Sequence, residues 1–187
     1  MCNLYRLEKG PEAIRAVVAQ LDFPEGIPNF EPRDIHITEQ APIIRANPEG
    51  WELVQRRWSW PGPAGKPVYN YRSEGREFPT GRCLILTDGF YEYTAPADPK
   101  QKRKDRWIFT KPDEDWFAIA GLWRTSKDVG EAFTMLTTEP GPDVAKYHAR
   151  QVAVLRRDQW EEWLDPGRPI KGMIGPMPAG ALHVARA

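Results

Sequence analysis

Thiols are scarce in this chain: Cys2 and Cys83 are the only cysteines in 187 residues. Two sulfurs so far apart build no disulfide framework, and no apolar leader follows Met1, so a reducing cytoplasm is the expected setting. Histidine is sparse too, with His36, His148 and His183 alone. No C-x-x-C, H-x-H or H-E-x-x-H spacing occurs, and the expectation is no bound metal and no cofactor. No run reaches the roughly 18 apolar residues that a spanning helix needs, so no membrane partner is expected. Neither sign of charge is in excess, since 26 Lys and Arg balance 26 Asp and Glu. Any contact with a polyanion must therefore be local.

What is abundant is tryptophan, at eight, and proline, at nineteen, the prolines falling between short apolar runs. That pattern predicts many short strands joined by tight connections, with helices in the minority. Strands are expected at residues 35–38, 42–46, 51–60, 106–110, 115–123, 132–138 and 151–155, with a further edge strand at 182–185. CLILTDGFYEY (83–93) reads as a buried strand that turns at Asp88-Gly89. Residues 11–21, with Pro11 leading Ile14, Val17, Val18 and Leu21 at helical spacing, predict an amphipathic helix, and 158–164 a shorter one. KQKRKDR (100–106) reads as a solvated hairpin tip. The strands do not alternate with helices in βαβ fashion, so the expected fold is α+β: a single domain over 1–187, mainly antiparallel sheets curling toward a barrel, flanked by a few helices. A monomer is the default.

Cys2 stands directly behind the initiator. If Met1 is removed, it carries an α-amine two bonds from its thiol, a pair that no internal residue offers. Such a pair traps aldehydes: the amine condenses to an imine and the thiol closes a five-membered thiazolidine. An α-amine has a reference pKa of about 7.7 to 8.0 and a thiol about 8.5, so both reactive forms exist near neutrality.

Four separated segments accompany it: MCNLYRL at the start, PVYNYRSEG (67–75), RCLILTDGFYEY (82–93), and YHARQVAVL (147–155) ahead of WLDP (163–166). In this order they resemble the SOS response-associated peptidase family, whose members attach themselves to abasic sites in single-stranded DNA. The resemblance implies that Cys2 is the nucleophile, with Asn70, Glu92 and His148 as its catalytic companions. A carboxyl and an imidazole can move the protons that sugar opening and loss of water require, and the Asn70 amide can fix the attack geometry. It also implies a partner, single-stranded DNA containing abasic sites, and association with the nucleoid when that DNA is damaged. "Peptidase" in the family name implies removal of Met1, by the protein itself or by an aminopeptidase.

The stretch from Arg45 to Arg82 mixes seven basic residues with Trp58 and Trp60, the recipe for holding phosphates and stacking bases without sequence preference. The expected DNA contacts are Arg45, Trp58, Arg72 and Arg150, of which Trp58 and Arg72 match DNA-contacting positions of the family. The chain departs from the common family pattern at Asn3-Leu4, at Ala149 and at Gln151-Val152, which affects a phosphate contact and the orientation of His148. Two readings compete with the resemblance. One is an amidohydrolase whose N-terminal cysteine uses its own amine as base; the other is a non-enzymatic single-strand-binding module.

Overall fold

The computed structural model of the chain describes residues 2–10, 14, 21, 22, 24 and 31–187. Among these the strands are β1 (Leu4–Leu7), β2 (Leu21–Asp22), β3 (Arg33–His36), β4 (Gln40–Asn47), β5 (Gly50–Trp58), β6 (Trp60–Pro61), β7 (Pro67–Val68), β8 (Asn70–Arg72), β9 (Arg82–Thr87), β10 (Gly89–Thr94), β11 (Asp105–Thr110), β12 (Phe117–Ser126), β13 (Gly130–Thr138), β14 (Gln151–Val152), β15 (Val154–Leu155) and β16 (His183–Arg186). Two short helices are described, α1 (Pro142–Ala145) and α2 (Trp160–Leu164). The expected α+β class, dominated by antiparallel sheet, is the observed one. The helix expected over 11–21 lies outside the described residues except for Ile14, which is buried in the core, and Leu21, which belongs to β2.

The larger sheet runs β13-β12-β9-β4-β5, and β5 then returns to pair in parallel with β13, Arg57 opposite Ala132 and Trp58 opposite Phe133. That last pairing closes a five-stranded barrel, which removes the open edges that an extended sheet would leave. Closure needs β5 to stop, and it stops at Ser59, a buried residue at φ 93° whose N–H is taken by the Phe133 carbonyl at 2.8 Å. The single strand expected over 51–60 is therefore two, β5 and β6. Every residue of β9 is buried. Where β12 crosses it, a Cβ on Gly121 would fall 2.7 Å from Ile85 Cδ1 and 2.9 Å from Cys83 Sγ. Only glycine permits that approach. Cys83 is thus a filler of the barrel interior, and burial pushes its thiol pKa far above the usual range.

The second sheet, ordered β16-β11-β10-β1-β3, is antiparallel throughout. Phe90 and Phe109 stack at 5.0 Å on adjacent strands of it. The chain bends at Asp88 as expected but makes no hairpin there, because β9 and β10 do not pair with each other. β9 pairs with β4 and β12, β10 with β1 and β11, so the chain passes from barrel to second sheet through Asp88 alone. Gly89 is there for room: a Cβ would sit 2.9 Å from Ile108 Cδ1. Residues 98–104 form the exposed tip of the β10–β11 hairpin, as the basic run suggests.

Asp88 is 5% exposed and fully used. Its Oδ1 accepts from Arg6 Nε at 2.5 Å, its Oδ2 accepts from the Glu8 N–H, and its own N–H donates to the Arg6 carbonyl at 3.1 Å. One buried carboxylate thus ties the far end of β1 to the crossing between the sheets. Asp88→Asn, which keeps the shape and removes the charge, is expected to cost about 2 kcal/mol of stability, the scale of hydrogen bonds to a charged group. Urea unfolding measures it, and a midpoint unchanged from wild type refutes the anchoring role.

Candidate active site

The amino-terminal segment enters the protein as a strand of the second sheet, and this is what makes a site of it. β1 lies between β10 and β3, with Tyr5 opposite Phe90 and Ile35. Cys2, just before β1, is 1% exposed. Its thiol donates to the Leu4 carbonyl at 3.2 Å, while burial first, and the nearby Glu92 second, push its pKa up to about 12. The sulfur is held as a thiol, so the share of thiolate expected from a free cysteine is not present in this conformation.

Three side chains converge on this segment, each from a different part of the chain. Asn70, the first residue of β8, donates its Nδ2–H to the Cys2 carbonyl at 2.7 Å. Its Oδ1 is buried and has no hydrogen-bond partner among the described residues. Glu92 lies on β10, the strand neighbouring β1, where its carboxyl is influenced by the Cys2 backbone. Glu92 is 2% exposed. Burial raises its pKa to about 7, against the opposing pull of the chain's positive amino terminus and of the Cys2 N–H. A carboxyl tuned to neutrality can both give and take a proton at physiological pH.

His148 follows α1. The helix starts at Pro142 with Gly141 before it, and Gly141 N–H is taken by the side chain of Gln151, one of the residues at which the sequence departs from the common pattern. The ring Nδ1 lies 2.9 Å from the Arg150 N–H and 3.0 Å from the Arg150 carbonyl. It accepts when neutral and donates when protonated, so the ring is oriented in either state. Partial burial and the positive charges of the amino terminus and Arg150 lower its pKa below 6.5, the Arg150 carbonyl opposing them. Asn3, Glu92, Tyr93, Lys104 and His148 line one cavity of about 300 Å³. Cys2, Asn70, Glu92 and His148 are therefore brought together from four separated segments. Lys104 and Tyr93, at the rim, are the lining residues that the sequence alone did not single out; Lys104 was hidden in a basic run that reads as solvated surface.

The expected DNA contacts are distributed differently. Arg72 is exposed on β8, two residues from Asn70. Arg150 sits beside His148, with its guanidinium forked onto Glu74 at 2.5 and 2.9 Å and reaching Thr137 Oγ1 at 3.1 Å. Trp58 has no exposed surface; it packs edge-on against Tyr5 at 5.1 Å and donates its indole N–H to the Tyr69 carbonyl. No face of it is open for a base to stack on in this conformation. Arg45 is held by Glu52 at 2.5 Å and Glu131 at 3.1 Å, with its guanidinium over Trp123. Arg82 is drawn inside to donate to the carbonyls of Phe78, Asp165 and Arg168. Among the described residues there is no cluster of His, Cys, Asp and Glu that could hold a metal ion, and no helix long and apolar enough to cross a membrane.

The family model of the SOS response associated peptidases (SRAP) matches residues 1–186. The chain belongs to that family. Among curated relatives, the abasic site processing protein HMCES of Gallus gallus is 31% identical over 127 residues, covering 54% of this chain and 38% of its own length. The abasic site processing protein YoaM of Bacillus subtilis (strain 168) is 30% identical over 128 residues, covering 62% of this chain and 55% of its own. The matched regions thus span about half or less of those relatives' length. A crystal structure of a protein from Bordetella bronchiseptica shares the fold, with a TM-score of 0.80 at 23% identity over 100% of this chain and 99% of the other. So does one from Bacteroides thetaiotaomicron, with a TM-score of 0.78 at 18% identity over 99% and 91%.

The raised pKa of Glu92 makes stability depend on pH. Folded, the carboxyl keeps its proton up to about pH 7, whereas unfolded it loses it near 4.5. The native state therefore binds the extra proton in that window, and stability falls as pH rises through it. Glu92→Gln removes the dependence and is expected to be more stable than wild type above pH 7, by on the order of 2 kcal/mol. Denaturant unfolding at pH 5 and pH 8 checks this; parallel behaviour of the two proteins overturns it.

Proposed function

We propose that this protein captures abasic sites in single-stranded DNA by forming a thiazolidine with its N-terminal cysteine. The observation that carries the reading is the nearness of the Glu92 carboxyl, on the strand paired with β1, to the Cys2 backbone nitrogen. Once Met1 is removed, that nitrogen is the α-amine itself, already placed against a base and in a segment that Asn70 holds through the Cys2 carbonyl. The names of the curated relatives, abasic site processing proteins, point the same way.

The order of events follows from the two shifted acids. The thiol resists ionisation, so the amine acts first: its lone pair attacks C1′ of the open-chain sugar, and one nitrogen proton passes by way of Glu92 to the former carbonyl oxygen. The resulting carbinolamine loses its hydroxyl as water, protonated by Glu92 or His148, and the second nitrogen proton returns to that acid to leave an imine. Sulfur then adds to the imine carbon while its proton moves by way of Glu92 to the nitrogen. The balance is one aldehyde and one aminothiol giving one thiazolidine and one water. His148 faces the same cavity and can protonate the sugar oxygen during ring opening. Arg72 and Arg150 supply local positive charge for the flanking phosphates, with Glu74 displaced from Arg150 as a phosphate enters. Release of Met1, self-catalysed or not, belongs to the same proposal.

The test is a denaturing gel. Purified protein incubated with abasic single-stranded DNA should give a band that survives detergent and heat and is absent with intact DNA. Cys2→Ala should abolish it, and Glu92→Gln should slow its appearance by 10²-fold or more, the scale of a general acid–base contribution. An undiminished band from Cys2→Ala, or intact-mass data showing Met1 retained on protein that still crosslinks, refutes the reading.

A further inference from the structure

Side chains alternate along β8, so Asn70 and Arg72 share one face and Tyr71 belongs to the other. β8 pairs with β13 along one side. On the Tyr71 side there is a separate cleft of about 440 Å³, lined by Trp60, Tyr71, Arg76, Glu77, Trp123 and Arg124 among others. Two of its basic side chains are laid on aromatic rings. The Arg76 guanidinium lies 4.8 Å from the Tyr71 ring centroid and donates to Tyr71 Oη at 3.0 Å. That of Arg124 lies 4.2 Å from the Trp60 ring. Both arginines are exposed, whereas Trp60 is 5% exposed and serves as a backing plate. A guanidinium plane supported from behind by a ring presents its other face for stacking, and its N–H groups for an anion. Glu77 is the one acid of the cleft lining, which leaves it net positive.

We propose that this cleft is a second nucleotide site, taking a base and phosphate of the same single strand near the nucleotide whose sugar reaches Cys2. Flat positive planes, a cavity with room for a nucleobase, and net positive charge together fit a nucleotide rather than an apolar peptide or a lone anion. Tyr71 and Asn70 are adjacent in sequence, so a strand bending around β8 passes from one site to the other within a nucleotide or two. The inference rests on the proposed partner being single-stranded DNA, but not on the covalent step.

The probe is an intact single strand of about 15 nucleotides, without any abasic site, carrying 5-iododeoxyuridine at successive positions. After irradiation and digestion, mass spectrometry is expected to find adducts on Tyr71 or Trp123 for at least one position. The double variant Arg76→Glu with Arg124→Glu, both exposed, should bind the unmodified strand about tenfold more weakly and lower the salt slope by about 1, with its melting curve unchanged. Adducts confined to other residues, affinity within twofold of wild type, or no binding of the intact strand by wild type would each overturn the site. Since no lesion is present, failure of Cys2 to crosslink abasic DNA would remove the proposed chemistry while leaving this result readable.

Discussion

Everything in this structure that bears on chemistry depends on an amino-terminal segment being folded into the interior as a strand. Chain ends are ordinarily loose unless something ties them down, because ordering each backbone residue costs about 1–2 kcal/mol. Here the tie is double. β1 is hydrogen-bonded on both sides, by β10 and β3, and its far end is clamped by the buried Asp88 carboxylate through Arg6 and Glu8. Asp88 is also the residue through which the chain leaves the barrel for the second sheet. The same carboxylate thus fixes β1 and starts β10, which carries Glu92 four residues on. Register between the amino terminus and Glu92 is inherited from one junction.

Within that frame the burial that stabilises also sets reactivity. Desolvation disfavours charge on either acid, so it raises both the Cys2 thiol and the Glu92 carboxyl, and the Glu92 charge further raises the thiol. A thiolate and a carboxylate side by side would be costly in such a place. The arrangement favours a neutral thiol beside a carboxyl that gains and loses its proton near neutrality over two adjacent anions. That is a poor design for a thiolate nucleophile attacking first, and a good one for an amine attacking first with sulfur closing later. Asn70, whose buried Oδ1 lacks a partner among the described residues, supplies an acceptor that a free amine or sugar hydroxyl could satisfy.

Much of this was legible in the chain itself, for reasons that differ by element. β4, β9, β12 and β13 are long apolar runs whose burial dictates strand, and the hairpin tip at 98–104 announces itself by charge. The crossing at Asp88 was misread because Asp-Gly between apolar runs is the local signature of a hairpin, and local chemistry does not say which strands each half will pair with. β1 and β8 are too short to show periodicity, and they are the two that position Cys2 and Asn70; the motif resemblance, not propensity, marked those residues. Trp58 was assigned outward on its match to the family and Arg45 on composition, yet closing a five-stranded barrel put Trp58 against Tyr5 and paired Arg45 with two glutamates. Sequence identifies a tryptophan or an arginine but not the face of the sheet that three-dimensional closure assigns to it.

The distribution of charge follows from the same closure. Arg45 and Arg56 are spent on Glu52 and Glu131, Arg82 on backbone carbonyls and Arg150 on Glu74, so part of the basic stretch expected to face a polyanion is used within the fold. Counterion release scales with the number of phosphates neutralised, so each cation withdrawn in this way would weaken the proposed binding to single strands. Such a protein would leave intact DNA readily. On the proposed reading, long residence comes from a bond at Cys2 and not from a field: weak contacts would permit search, and only a strand presenting an aldehyde to the buried Cys2 segment would be kept.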